Sequence, residues 1–376
     1  MTPKERMYAA IEGRKPDVWP VAAPYIHLTY ADHWEALTGL PVWQYYEWLM
    51  TTDMNRLKDI YRLIVSTLPF DIISPFYHYS DEYRENTEIV LRNGEYCYHF
   101  KKEDQYAPVP ENIHNAGSGG GEKETRYIYS KEDARERLKL VKAEQLLQEG
   151  EYAYRKEFIK LFADQYFINM GGVVNTFYSN CYHVGMTNFY AMLHEEPDLI
   201  KYISGMVLEQ NIEYIRAMST LEGDAIQIDD ATATSDMISP RMYEEFSLPY
   251  LTEQVKEIQR LGKKAIVLYF GGISDRVEQI ASSGADILMM ECSMKGYTND
   301  YADIAAKLNG RMCLAGNLNP YVDIQITDDD ELALRISKMA RAGIAYGRYF
   351  TSAGSPLTPG TTVERMKKYI QLAHSL

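Results

Sequence analysis

Short apolar runs alternate along this chain with longer stretches in which apolar residues recur every three or four positions. Short runs bounded by glycine or polar residues read as buried strands, and the 3.6-residue period reads as amphipathic helix. Eight such runs occur: residues 19–25 (WPVAAPY), 70–76 (FDIISPF), 167–174 (FINMGGVV), 225–230 (AIQIDD), 265–270 (AIVLYF), 287–292 (ILMMEC), 312–317 (MCLAGN) and 349–354 (YFTSAG). Helical patterns lie between most of them, at 196–218, from Ser239 to Leu261, at 274–282 before Gly284, at 301–308 before Gly310, from Asp329 to Gly343, and from Thr362 to His374. Strand then helix, eight times over, predicts an α/β fold: a TIM (β/α)8 barrel forming one domain over residues 1–376. An open, doubly wound sheet is the competing arrangement. At the start, Thr2-Pro3-Lys4-Glu5 is a capping-box signal with proline at the first helical position, so a short helix ending near Gly13 is expected.

One stretch breaks the rhythm. Residues 80–165, between the second and third strands, are too many for one connection. They hold two alternating runs around Asn93-Gly94, a strong hairpin signal, then the glycine-rich 115–123 (NAGSGGGEK) and charged helical sequence. An insertion of hairpin plus helices is expected, lying over the barrel mouth as a lid or partner-contact surface.

Composition narrows the partners. A formal net charge of −14 argues against nucleic acid or an anionic membrane. No run of ~18 apolar residues could span a bilayer. Cys97, Cys181, Cys292 and Cys313 form no short spacing, so neither a disulfide framework nor a zinc ribbon is indicated, and a reducing cytoplasm is the expected location. Oligomeric state stays open. The 31 tyrosines stand out, several of them at predicted strand ends.

Chemistry in parallel barrels sits at the C-terminal strand ends. Those ends offer Asp229, Glu291, His27 and Tyr269 as catalytic candidates. Tyr25, Tyr30, His78, Asn175, Tyr178, His183, Asp230, Asn317 and Ser355 are candidates for substrate binding. Each also has a plain structural reading: the histidines as backbone-bonded core residues, one aspartate as a turn cap, and Asn317 as turn chemistry. Glu291 closes an apolar strand, where a carboxylate needs a partner or a task. Cys292 has no adjoining base and reads as core. The set is rich in phenols and lacks arginine. It suits a neutral or aromatic small molecule more than a polycarboxylate, which calls for guanidinium forks.

Several segments in order, MTPKERMYAAIEGRKPDVWPV, ISPRMYEEFSLPYL from Ile238, SGADIL from Ser283, LAGNLNP from Leu314 and TTVERMKKY from Thr361, resemble the uroporphyrinogen decarboxylase superfamily. The resemblance covers most of the chain and is densest from about residue 220 onward. It implies a TIM barrel, and either porphyrinogen decarboxylation or methyl transfer with corrinoid proteins. Decarboxylases of the family carry an Arg-Gln-Ala-Gly-Arg motif after the first strand and Phe-Ser-Asp at the second. Here those regions read PYIHLTYADHW from Pro24 and ISPFYHY from Ile73. The thiol-methylating branch binds zinc through His-x-Cys on the fifth strand and a cysteine on the eighth. Those positions correspond here to Leu268, Phe270 and about Ser355, and leucine and phenylalanine have no donor atoms for zinc.

The resemblance therefore implies the branch that moves a methyl group from a small, methoxylated aromatic substrate to a corrinoid (cobalamin) protein, an O-demethylase component. The corrinoid would arrive on a partner protein docking over the mouth. No metal site is assigned by spacing; if zinc is present, Asp229, Glu291 and His27 are its candidate ligands. Two alternatives stand beside this expectation: a decarboxylase of a smaller acid, and a non-catalytic ligand-binding barrel.

Overall fold

The computed structural model of the chain describes residues 1–113, 127–148, 150–294 and 296–376; the glycine-rich 115–123 segment lies outside them. Eight parallel strands form a nearly closed barrel: β1 (Val21–Ala22), β2 (Ile72–Ile73), β6 (Phe167–Val174), β7 (Ala225–Ala231), β8 (Lys264–Phe270), β9 (Ile287–Met290), β10 (Cys313–Ala315) and β11 (Tyr349–Ser352). Their spatial order is β1-β11-β10-β9-β8-β7-β6-β2, with every pair parallel. All eight runs read from the sequence are strands of this barrel.

Strands β1 and β2 flank the seam and are only two residues each, so side chains finish its closure. The amide of Asp71 donates to the Val21 carbonyl (2.9 Å), and the Asp71 carboxylate accepts from the Val21 amide (2.8 Å). His374 (2.8 Å) and Arg6 (3.5 Å) hold the same carboxylate, which is wholly buried.

The helix Pro3–Ile11 carries the expected capping box at Thr2 and Glu5 and closes the N-terminal end of the barrel. Its Met7, Ala10 and Ile11 join the barrel-interior cluster with Phe167, Ile266, Leu268, Ile287 and Phe350. Tyr8 donates to Asp224 (2.9 Å), whose other oxygen accepts from the Ile168 amide (2.9 Å). A second, larger apolar layer packs the outer faces of the strands against the helices.

Three helices differ from the sequence reading: the span from Ser239 to Leu261 is two helices, Pro240–Phe246 and Leu248–Arg260, meeting at Ser247, the helix expected at 274–282 begins at Val277, and a third extends past its expected end. The helix starting at Asp329 runs through Gly343 to Tyr346 and stops at Gly347, which adopts φ 89°. Gly343 is not a stop signal; a Cβ there would lie 2.2 Å from the Tyr349 ring, so glycine lets the helix approach β11. Gly343→Val is therefore expected to lower stability by about 1–3 kcal/mol through overpacking, read as a shifted urea midpoint at unchanged slope.

Among the described residues, the 80–165 segment holds three antiparallel strands, one more than the expected hairpin: β3 (Thr87–Arg92), β4 (Glu95–Phe100) and β5 (Gln105–Pro108). This sheet packs on the helix Val42–Met50, with Trp43 stacked on Tyr96 (4.1 Å) and Tyr46 against Tyr98 (6.1 Å). The helix Glu151–Phe162 packs on β6 and on the helix Met54–Thr67, and so serves as the barrel helix between the second and third strands.

Candidate active site at the barrel mouth

Strand alternation sorts the candidates. In β7, Asp229 pairs in register with Leu268 and Asp230 with Tyr269. Leu268 belongs to the barrel interior and Tyr269 to the outer layer. Successive side chains in a strand point to opposite faces, so Asp229 turns into the barrel and Asp230 turns away from it.

Asp229 sits above a short polar stack. Asn169 Nδ2 donates to the Gln227 side-chain Oε1 (3.0 Å), and Gln227 Nε2 donates to Asp229 Oδ1 (2.5 Å). The hydroxyl of Tyr25 also bonds to Asp229. Burial raises the Asp229 carboxyl to about 6, and the bonds from Gln227 and Tyr25 oppose that rise. Tyr25 stacks on Phe270 (5.8 Å, 9° between planes) and meets His27 edge-on (6.0 Å). His27 in turn lies 5.1 Å from Tyr77, whose ring is half exposed. Burial, and then the charge of Arg155, lower His27 to about 4, so its ring is neutral near pH 7. From the helix Thr176–Val184, which follows β6, Tyr182 donates to Tyr178 (2.5 Å), and both phenols interact electrostatically with the Tyr25–Asp229 group.

Glu291 follows inward-facing Met289 at the end of β9 and is partly open. Tyr297 donates to Oε2, Ser355 to Oε1 (3.3 Å), and Asn299 to the Glu291 carbonyl (3.0 Å). Asn317 bonds the carbonyls of Glu291 (3.3 Å) and Asn299 (2.9 Å), so its amide braces the loop that carries Glu291.

Other candidates lie away from the mouth. Tyr269 donates to the Ala233 carbonyl between sheet and helices, where Arg276 donates to the same oxygen (2.7 Å). Asp230 is fully buried, accepts from Tyr243 (3.0 Å), and is also raised to about 6 by burial. Asn175 belongs to that network through Ser247 (2.8 Å) and Gln254 (2.9 Å). His78 is core: it accepts from Tyr61 (2.6 Å) at Nε2, donates to the Leu49 carbonyl (3.1 Å) at Nδ1, and burial drives it to about 3. Tyr30 is fully buried against Phe76 (5.7 Å). His183 lines a separate cavity behind its helix. Asp229, Glu291 and His27, named as ligands only if zinc is present, form no such cluster: among the described residues, no group of three or more His, Cys, Asp or Glu side chains is placed to hold a metal ion.

The structure adds what the strand ends could not reveal. Arg155, from the helix Glu151–Phe162, brings a guanidinium to the mouth's edge, so the expectation of an arginine-free site is corrected. It lies over Tyr77 (4.7 Å) and donates to the Met170 carbonyl (2.9 Å). A bulge in β6 makes room for it. Gly171 adopts φ 124°, and a Cβ there would lie 2.4 Å from the guanidinium. The GG pair in the third strand was the only sequence signal. Gln227 and Asn169 were also missed, because polar residues inside an apolar strand had no assigned face.

An eight-stranded parallel barrel whose C-terminal mouth gathers carboxylates, phenols and a neutral imidazole has the architecture of the TIM-barrel enzymes. Within that class the chain belongs to the uroporphyrinogen decarboxylase (URO-D) family, whose model matches residues 117–376. It is 30% identical over 193 residues to the uroporphyrinogen decarboxylase of Xanthomonas euvesicatoria pv. vesicatoria, covering 50% of this chain and 52% of that protein. The corresponding enzyme of Xylella fastidiosa is 26% identical over a stretch of the same length, with the same coverage. The chain thus spans about half the length of these curated relatives. Among solved structures, a methyltransferase from Methanosarcina mazei shares the fold, with TM-score 0.68, 18% identity, and coverage of 100% of this chain and 99% of that one. No helix among the described residues is long and apolar enough to cross a membrane.

Proposed function

We propose that the protein is a methyltransferase that removes the methyl group of a small methoxylated aromatic substrate and delivers it to a corrinoid protein. The observation carrying this reading is Asp229: a carboxyl raised to about 6, held by Tyr25 and Gln227 at the base of an aromatic mouth. An aryl methyl ether is a reluctant methyl donor because its leaving group is a phenolate. A group with a pKa near the working pH is suited to protonate that oxygen as the C–O bond breaks. A reduced corrinoid on the partner would supply the nucleophile that accepts the methyl group.

The chain's own residues bind and protonate. Tyr25, Phe270 and Tyr77 offer ring faces and edges to an aromatic substrate. Neutral His27 donates or accepts one hydrogen bond beside them. Asp229 gives its proton to the departing oxygen, and Tyr25 and Gln227 stabilise the carboxylate left behind. Glu291, fixed by Tyr297 and Ser355, orients polar ring substituents. The M. mazei neighbour supports the reading as an analogy of fold.

A second reading, decarboxylation of a small acid, is favoured by Arg155 and by the names of the curated relatives. One experiment separates the two. The protein is incubated with a panel of methoxybenzenes and a reduced corrinoid carrier protein, and in parallel with the carboxylic acids of the same ring series. Methylated carrier and free phenol support methyl transfer. Carbon dioxide without methylated carrier supports decarboxylation and ends the first reading.

Tyr25→Phe gives a finer test. The lost hydrogen bond favours ionised Asp229, so its removal raises the carboxyl further. The alkaline limb of the rate profile, set near pH 6 by loss of the Asp229 proton, is then expected to move to higher pH, read from kcat against pH.

A further inference from the structure

A cavity of about 290 Å³ lies between the helix Thr176–Val184, the helix Pro197–Ser219 and the segment 137–141. Its size is near the lower end of small-molecule sites, which run from ~300 Å³ upward. It is distinct from the mouth: Tyr178 and Tyr182 serve the Asp229 side, whereas Ser179 and His183 come about 100° further round the same helix and line this cavity. The outer wall is fastened rather than draped. Gln210 accepts from the Val141 amide (2.7 Å) and donates to its carbonyl (3.1 Å), and Glu213 accepts from the Ala143 amide (3.0 Å).

The lining has a one-sided chemistry. Leu138, Val141 and Val207 provide an apolar body. Arg137 and Lys139 stand against one carboxylate, Glu209, in a chain whose net charge is −14. Neither the Arg137 guanidinium nor the His183 ring has a hydrogen-bond or ion-pair partner among the described residues. Burial and Arg137 hold His183 in its neutral form, which offers one N–H. We infer that this cavity is a second ligand site, taking a small monocarboxylate with an apolar body: Arg137 forks the carboxylate, His183 donates to it, and the hydrocarbon packs on Leu138, Val141 and Val207. The inference does not depend on the reaction at the mouth. It gives His183 a task the mouth does not.

The test uses the full chain and benzoate as probe, with benzyl alcohol as the uncharged counterpart, by isothermal titration. Benzoate is expected to bind one to one, and equally to Asp229→Asn, while benzyl alcohol binds at least about tenfold more weakly. Arg137→Gln, at an exposed position, is expected to weaken benzoate by about tenfold or more. Val207→Trp, which fills the cavity, should abolish binding. Benzoate affinity unchanged in Arg137→Gln, or no binding up to about 10 mM, overturns the assignment. So does benzoate displaced by a substrate that the protein turns over at its mouth.

Discussion

Asp229→Asn is expected to cut turnover by about 10²–10⁴-fold, the contribution typical of a general acid, with little change in substrate affinity. Asparagine fills the same space and still accepts one of the two hydrogen bonds, but it has no proton to give. Stability should move the other way. Burial raises the Asp229 carboxyl from its ordinary 3.8 to about 6, so the native state holds this proton longer than the unfolded chain does. Wild-type stability attributable to this group is fully present below about pH 4 and is lost as pH climbs through about 6. The asparagine variant lacks that loss. Its stability advantage should therefore grow between pH 4 and 7, towards an upper bound of roughly 3 kcal/mol, in urea titrations at stepped pH. A variant that loses activity without this pH-linked gain would have been damaged in its fold, not its chemistry.

The largest loss of stability is expected at the barrel seam. Asp71→Ala removes a wholly buried carboxylate that accepts from the Val21 amide, His374 and Arg6. The β1–β2 edge has only two-residue strands, so little backbone pairing is left to compensate. An orphaned buried amide, together with an imidazole and a guanidinium that lose their partner, should cost about 3–5 kcal/mol. Asp17 provides the control. It also pairs with Arg6 (2.9 Å) but is 42% exposed, so Asp17→Asn should cost less than about 1 kcal/mol. Calorimetric melting of the two variants side by side checks the contrast; similar losses would refute the account of the seam.

The strands were legible because each is an apolar run with a polar or glycine end. Which face each tip residue takes was not. Strands of a parallel barrel are buried on both sides, so their sequences carry no polar–apolar alternation to set the phase. Asp229 and Asp230 therefore read as equals, and Tyr269 read as a mouth residue. His78 and Asn175 show a related limit: a buried polar side chain satisfied by Leu49, Tyr61 or Ser247 has the same one-letter signature as one aimed at substrate. Arg155 escaped because it comes from a helix, through a bulge, and no reading confined to strand ends reaches it. The insertion's hairpin was visible in Asn93-Gly94, yet its seat on Trp43 and Tyr46 depends on an aromatic face that periodicity does not single out.

The two neighbouring aspartates carry a lesson for anyone diversifying this scaffold. Losing or gaining one codon between Ala225 and Asp229 would trade their positions, sending the proton donor among the helices and the network anchor into the substrate's path. Both carboxyls would survive in composition while both jobs failed. Libraries aimed at this strand should exchange residues and never shift the reading of its length.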